Sequence, residues 1–285
     1  MKNYSVAVCI SLIFSAFGAQ AQSFSVTLTN GSVSGTTASF EVSAPSATSV
    51  TNYSVEQTSD LSNWYSITNG ASWPTNGFIN VSSPITNALA AFRATVGTNE
   101  SVNGLGFVTI ILGTNWNMIA PQVNNQGGND LDTMLTNLPS GTVAYKWDPA
   151  SNGYIASTWR SGSWSRDFSV APGEGMLINL AGTTSITNVF IGNLFEGTGT
   201  IDTYTNGTVV SVFWPQTGDI TSGLGYTAQA GDIAYRMLTD GSGNYTEYTY
   251  ASGSWHSSSL SPRVGEAFWY YPKTGTNWTK TLNIW

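Results

Sequence analysis

The chain has one cysteine, Cys9, and one histidine, His256. Without a second thiol no disulfide forms within the chain, no cysteine cluster holds a metal, and a zinc centre lacks its ligand set. Charge is the next scarcity. Asp, Glu, Lys and Arg make up 9% of the 285 residues, against roughly 25% in an ordinary soluble domain. The formal net charge of −7 is spread as isolated acids without a basic run, which argues against nucleic acid or anionic lipid as a partner. The apolar run at residues 6–17 is shorter than the roughly 18 residues needed to span a bilayer. No cofactor or metal is expected.

What stands in place of charge is Thr, Ser, Asn and Gly, with 11 Trp, 13 Tyr and 12 Phe. So many rings supply enough apolar area to make a folded chain rather than a disordered one. The start, Met1-Lys2-Asn3, an apolar stretch and then Ala19-Gln20-Ala21, has the form of a secretory signal peptide over residues 1–21. An uncleaved anchor helix is the competing reading. Cleavage after Ala21 removes Cys9 and leaves a thiol-free, secreted or cell-surface protein with no membrane span. Export without disulfides fits a bacterial route, so sequons such as Asn30 and Asn206 read as chance. The ending, Thr281-Leu282-Asn283-Ile284-Trp285, has neither an apolar tail nor a basic run, and release without anchoring is expected.

Residues 22–97 alternate with period two: Phe24, Val26, Leu28; Phe40, Val42; Tyr53, Val55; Ile79, Val81; Phe92, Ala94, Val96. Turn pairs such as Asn30-Gly31 and Asn76-Gly77 separate the runs, which predicts a small antiparallel β-sandwich. Within it, Tyr53-Ser-Val55-Glu56 leads to Asp60-Leu61-Ser-Asn63-Trp64 and closes on Ala91-Phe92-Arg93. This stretch resembles a module of large exported proteins of Verrucomicrobia and Planctomycetes, with Ala91-Phe92 where the module carries Phe-Tyr. The resemblance implies an extracellular accessory module and no activity.

Residues 98–104 are polar and predict a linker. Beyond it a block occurs twice, at 105–195 and 196–285, and the pattern predicts two related β-rich domains. Tyr145, Tyr154, Trp164 and Gly173-Glu174 recur as Tyr235, Tyr245, Trp255 and Gly265-Glu266. Ile119-Ala120-Pro121-Gln122 aligns with Phe213-Trp214-Pro215-Gln216. Leu131, Met134, Leu135 and Leu138 have helical spacing after Asp130 as N-cap and before Pro139; the second copy has Gly223-Leu224-Gly225 there, so its helix is expected to shrink to a turn. The remaining segments predict short strands, giving an all-β chain. Ile119-Ala120, Tyr145-Lys146-Trp147-Asp148 and Pro172-Gly173-Glu174-Gly175 are similar to a second module of the same exported proteins, again without an attached activity. The second copy departs at Met237-Leu238 and Val264-Gly265-Glu266-Ala267.

Function has three readings at this level. The first is a non-enzymatic binding or adhesion protein with a polysaccharide or cell-surface component as partner. Sugars present C–H faces that stack on rings, and Trp159, Trp164, Tyr250 and Trp255, flanked by Ser, Gly and Arg, are the candidate ligand-binding residues. The bland alternative places the same rings in domain cores. The second reading is a glycoside hydrolase, which needs Glu174 or Glu266 beside another carboxylate; each Glu instead suits a turn in which it accepts backbone N–H groups. The third is a structural surface or matrix protein. His256 precedes three serines without a nucleophile elbow, and Asp148 with Asp167 is not duplicated. Asp130 with Asp132, and Asp240 with Asn244, fall short of a calcium loop. No catalytic residue is assigned.

Overall fold

A computed structural model describes residues 24–47, 50–275 and 277–285; the expected signal peptide, with Cys9, lies outside the described residues. Period-two alternation becomes β1 (Thr27–Ser34), β2 (Thr37–Ser43), β3 (Tyr53–Thr58), β4 (Tyr65–Gly70), β5 (Phe78–Pro84), β6 (Leu89–Val96) and the two-residue β7 (Asn99–Glu100). The first repeat forms β8 (Gly104–Leu112), β9 (Asn115–Ile119), β10 (Asn124–Asn125), α1 (Leu131–Met134), β11 (Val143–Asp148), β12 (Gly153–Arg160), β13 (Ser163–Trp164), β14 (Met176–Leu180) and β15 (Ile186–Leu194). The second forms β16 (Gly197–Ile201), β17 (Thr208–Val210), β18 (Ile233–Met237), β19 (Tyr245–Ala251), β20 (Ser254–His256), β21 (Phe268–Tyr271) and β22 (Trp278–Leu282). Among the described residues the fold is all-β apart from one short helix.

The sheet β1-β2-β5 faces a larger one of order β10-β15-β8-β6-β3-β4, with β7 on β6. Leu28, Phe40 and Val42 of the first meet Val55, Phe92, Val96 and Phe107 of the second in one buried core, the aligned packing of a sandwich. Residues 98–104 hold β7 and lead into β8, which pairs with β6 through Leu89 opposite Val108. The first and last strands of the first repeat therefore widen the larger sheet. Arg93 explains why Glu56, Trp64 and Arg93 occur together. Its Nε donates to Glu56 at 2.7 Å, its guanidinium lies 4.4 Å over Trp64 and 4.8 Å from the Trp285 ring, and it donates to the Ile284 carbonyl. The motif thus ties the last residues to the sandwich.

The repeats share one topology. Sheet order β13-β12-β11-β14-β9 in the first matches β20-β19-β18-β21-β17 in the second, and the outer pair β8–β15 matches β16–β22. Both β12–β13 and β19–β20 turn through two residues of positive φ, Ser161-Gly162 and Ser252-Gly253, the backbone of a type I′ hairpin. Four hydrogen bonds relate the repeats by a pseudo-two-fold. Gly175 N–H donates to Val209 O (3.0 Å) and Ala267 N–H to Met118 O (3.2 Å); Ser211 N–H donates to Gly173 O (2.9 Å) and Ala120 N–H to Gly265 O (3.0 Å). Met118, Ile119 and Ala120 therefore correspond to Val209, Val210 and Ser211. This corrects the alignment of Ile119 with Phe213. The Pro-Gln pair recurs at a different distance from the strand, and Gln122 serves the joint itself, donating to Ser211 and accepting from Gly265 N–H.

Alternation decides which face of each sheet goes where. Ala144, Met176 and Ile178 turn into a core with Leu131, Leu135, Trp159 and Trp164; Ala234, Tyr248, Phe268 and Tyr270 turn into its counterpart with Trp255 and Trp278. The opposite faces meet each other through Met118, Leu177, Val209, Met237 and Trp269. The helix is shorter than its apolar spacing predicts. Leu135 at φ -130 and ψ 91 already leaves the helical region, and Asp130 makes no side-chain cap bond. In the second repeat Asp219 builds a turn instead, accepting from Thr221 and Ser222 N–H, as expected from the loss of apolar spacing there.

Candidate functional site

Strand residues two apart share a face, so Tyr145 and Trp147 on β11, Tyr235 and Met237 on β18, and Leu177, Trp269 and Tyr271 all point to the joint between the repeats. Rings there form a continuous series. Trp116 lies 5.6 Å from Tyr145, Tyr145 5.9 Å from Tyr154, and Tyr154 5.1 Å from Trp147. Trp147 meets Trp269 at 5.0 Å, Trp269 meets Tyr271 at 5.5 Å, and Tyr271 meets Tyr235 at 5.7 Å. Edge-on, tilted and stacked pairs of this kind add about 0.5–1.5 kcal/mol each beyond burial.

Along this seam a hollow of about 380 Å³ opens between Trp116, Tyr145, Tyr154, Leu177, Met237 and Tyr245, floored by Ser242 and Gly243. Tyr154 and Tyr245, symmetry counterparts by their pairing with Trp147 and Met237, flank it at 47% and 38% exposure. Its counterpart across the pseudo-two-fold is occupied. Leu177 corresponds to Trp269 and Met237 to Trp147, by the register of Tyr145 with Leu177 and of Tyr235 with Trp269. Both indoles pack on Tyr154, and Trp147 Nε1 is anchored on the Gly207 carbonyl at 2.9 Å. Two large-to-small differences between the copies thus make one hollow and fill the other.

The hydroxyls around the seam hold their protons. Burial, with the neighbouring Tyr245 and Tyr271 hydroxyls, pushes Tyr154 up to about 12. Tyr245 and Tyr271 are raised mainly by burial, and Tyr235 by burial together with Glu247, to which it is hydrogen-bonded. At neutral pH these groups are uncharged and each can donate and accept a hydrogen bond. Apolar walls of Leu177, Met237 and Trp116 with several such hydroxyls suit a ligand that has both C–H faces and alcohols.

Three of the four rings expected to bind ligand lie inside. Trp159 and Trp164 are 6% exposed and Trp255 is 7% exposed, and Tyr250 is half-buried against Trp255 at 5.3 Å. Trp159 and Trp164 pair at 5.5 Å, and Trp164 Nε1 donates to Leu135 O at 3.0 Å. In this fold the three indoles sit in the domain cores, the alternative placement given for the same rings. The Ser, Gly and Arg around them belong to the hairpin turn, while the indoles themselves fold over the core. Tyr145, Tyr154 and Tyr245 recur within the repeated block, but neither they nor Trp116, Leu177 and Met237 are among the candidate ligand-binding residues. The signal for them is the i, i+2 pairing Tyr145/Trp147 and Trp269/Tyr271 on strands whose other face is already apolar.

The duplicated glutamates fasten turns. Glu174 accepts from Ala171 N–H (2.9 Å) and Lys146 Nζ (2.9 Å). Glu266 accepts from Arg263 N–H (2.8 Å) and, bidentate, from Arg236 at 2.5 and 2.7 Å. Each glutamate thus holds a turn. Asp148 accepts from Ala150 N–H and Ser151, and His256 is hydrogen-bonded to the Ala251 carbonyl. Among the described residues no group of three His, Cys, Asp or Glu side chains is placed to hold a metal, and no helix is long and apolar enough to cross a membrane.

No protein-family model matches the chain, and comparison with curated proteins finds no match.

Proposed function

We propose that this chain is a secreted, non-enzymatic binding or adhesion protein that takes a glycan in the hollow between its repeats. The observation that carries the reading is the contrast between the two pseudo-equivalent places. One is filled by Trp147 and Trp269; the other, with Leu177 and Met237, is left open beside the exposed rings of Tyr154 and Tyr245. Protonated tyrosine hydroxyls beside ring faces match the mixed surface of a sugar. The start of the chain, read as a signal peptide, and the likeness to modules of exported bacterial proteins support an extracellular setting.

The test is an oligosaccharide array followed by calorimetry on the best ligand. Tyr154→Ala and Tyr245→Ala are expected to weaken binding about tenfold each, a loss of about 1.4 kcal/mol. Leu177→Trp copies the residue of the filled counterpart and is expected to block the hollow while leaving the fold intact, as read by circular dichroism. Binding that survives Leu177→Trp, or an array without any ligand, would overturn the proposal.

A further inference from the structure

The pseudo-two-fold relates a second pair of places, at the two Gly-Glu turns. Where the turn around Glu174 meets β16 and β17 there is a cleft of about 690 Å³. Where the turn around Glu266 meets β8 and β9 there is one of about 410 Å³. Gly173 abuts Ile201 and Gly265 abuts Ile110, so Ile201 and Ile110 correspond, and with them Asp202 and Ile111. Met237 replaces Trp147, and Leu238 replaces Asp148.

The two clefts have diverged in a consistent direction. The smaller one carries Ile111 and Leu238 at its rim, 71% and 39% exposed. At the same two places the larger one carries Asp148 and Asp202. It adds Tyr204 and Phe195, both exposed; the residue in the place of Tyr204 is Gly113, by the register that pairs Ile111 with Asp202. One ammonium, that of Lys146, stands in this cleft with three carboxylates, those of Asp148, Glu174 and Asp202; it is bonded to Glu174 and the Ser169 carbonyl and also attracts Asp148, so negative charge stays in excess. Asp148 is held in its ionised form by hydrogen bonds from Ser151 and Ala150, which lower its pKa.

From this geometry we infer that the larger cleft is a second binding site, separate from the hollow, and that its ligand is an amine-bearing saccharide. An excess of carboxylates beside exposed ring faces favours an ammonium group, through charge and through attraction of the cation to the rings. The hydroxyls of Thr200 and Thr208 and the amide of Asn124 line the same cleft and suit the alcohols of a sugar. The smaller cleft, with Ile111 and Leu238, offers an ammonium nothing and serves as the internal control.

The test is calorimetry of the whole protein with a glucosamine hexamer and with its fully N-acetylated counterpart, at mildly acidic pH where the free amines are protonated. The amine form is expected to bind at least about tenfold more tightly, the preference weakening as salt screens the carboxylates. Asp148→Asn with Asp202→Asn should abolish the preference, and Tyr204→Ala should weaken binding of the amine form. Glu41→Gln with Glu100→Gln, which removes the same charge elsewhere, should leave the preference in place. Leu177→Trp should do the same, because it fills the hollow and not the cleft. Equal binding of both hexamers, no binding of either, or an unchanged preference in the Asp148/Asp202 variant would overturn the inference. Loss in the charge-matched variant would show a general attraction of a polycation to an acidic protein, and loss in Leu177→Trp would place the ligand in the hollow; either also overturns it.

Discussion

The indole of Trp147 meets that of Trp269 edge-on with centroids 5.0 Å apart, one ring from each repeat, in the place where the opposite side of the seam is open. Trp269→Leu copies Leu177 and is expected to open a second hollow. Truncating a buried indole to a smaller apolar side chain costs about 2–4 kcal/mol, measured as a shift of the urea midpoint at constant slope. If the glycan reading holds, oligosaccharide stoichiometry rises from one to two.

Trp164 and Trp255 occupy the same place in the two cores and differ in one hydrogen bond. Trp164 Nε1 donates to the Leu135 carbonyl at the end of α1. Trp255 Nε1 is buried without a partner among the described residues, since the second repeat has a turn where the first has the helix. Trp164→Phe should therefore destabilise by about 1 kcal/mol more than Trp255→Phe. Equal costs in denaturant melts would contradict the assignment.

Asp232 and Tyr270 form a buried pair that the first repeat builds differently. Asp232 accepts from Tyr270 OH at 2.5 Å and from Lys273 N–H at 2.6 Å; at the matching place Thr142 accepts from Ala181 N–H at 3.1 Å, with Ile178 where Tyr270 stands. Asp232→Thr alone strands a buried hydroxyl and Tyr270→Ile alone leaves a carboxylate short of a donor. The double variant restores the first repeat's arrangement. A double-mutant cycle should show coupling of about 1–3 kcal/mol in favour of the pair.

Two aspartates, Asp60 and Asp219, are lowered furthest and contribute most to the response to acid. Burial of Asp219 opposes its ionised form, but hydrogen bonds from Thr221, Ser222 and Ser259 prevail and bring it to about 2. Asp60 is lowered chiefly by the Asn63 N–H and amide. An unfolded aspartate titrates near about 3.9, so the stability these groups contribute is complete above that pH and is lost as pH falls through the folded value. Asp219→Asn should remove part of the acid sensitivity between about pH 4 and 2. Glu196 has the opposite sign. Burial raises it, so its ionisation opposes folding above its folded value, and Glu196→Gln should raise the melting temperature at neutral pH.

Much of the fold was legible because strands write their faces into the chain. The alternations through Phe40, Val55 and Phe92 mark the sandwich, and the recurrence of Tyr145, Tyr154 and Trp164 as Tyr235, Tyr245 and Trp255 marks two copies that share one sheet order. The turn role of Glu174 and Glu266 was legible too, since each recurs within the same Gly-Glu pair. The position of Trp159, Trp164 and Trp255 was not. Small polar neighbours accompany an exposed ring and a tight hairpin alike, and only the path of the strand decides which way the indole turns. The pairing of Ile119 with Val210 was hidden for a related reason, since Pro-Gln similarity at 121–122 and 215–216 competes with a register set by hydrogen bonds between the copies.

By itself the sequence determined an all-β chain in which one block is written twice, because period-two alternation and recurring residues are properties of the order of amino acids. Which rings line an open surface was decided only when the two copies packed face to face. Leu177 and Met237 are ordinary apolar residues in the chain. They become the wall of a hollow because a pseudo-two-fold sets them against the places that Trp269 and Trp147 fill on the other side, a relation between distant segments that no local pattern carries.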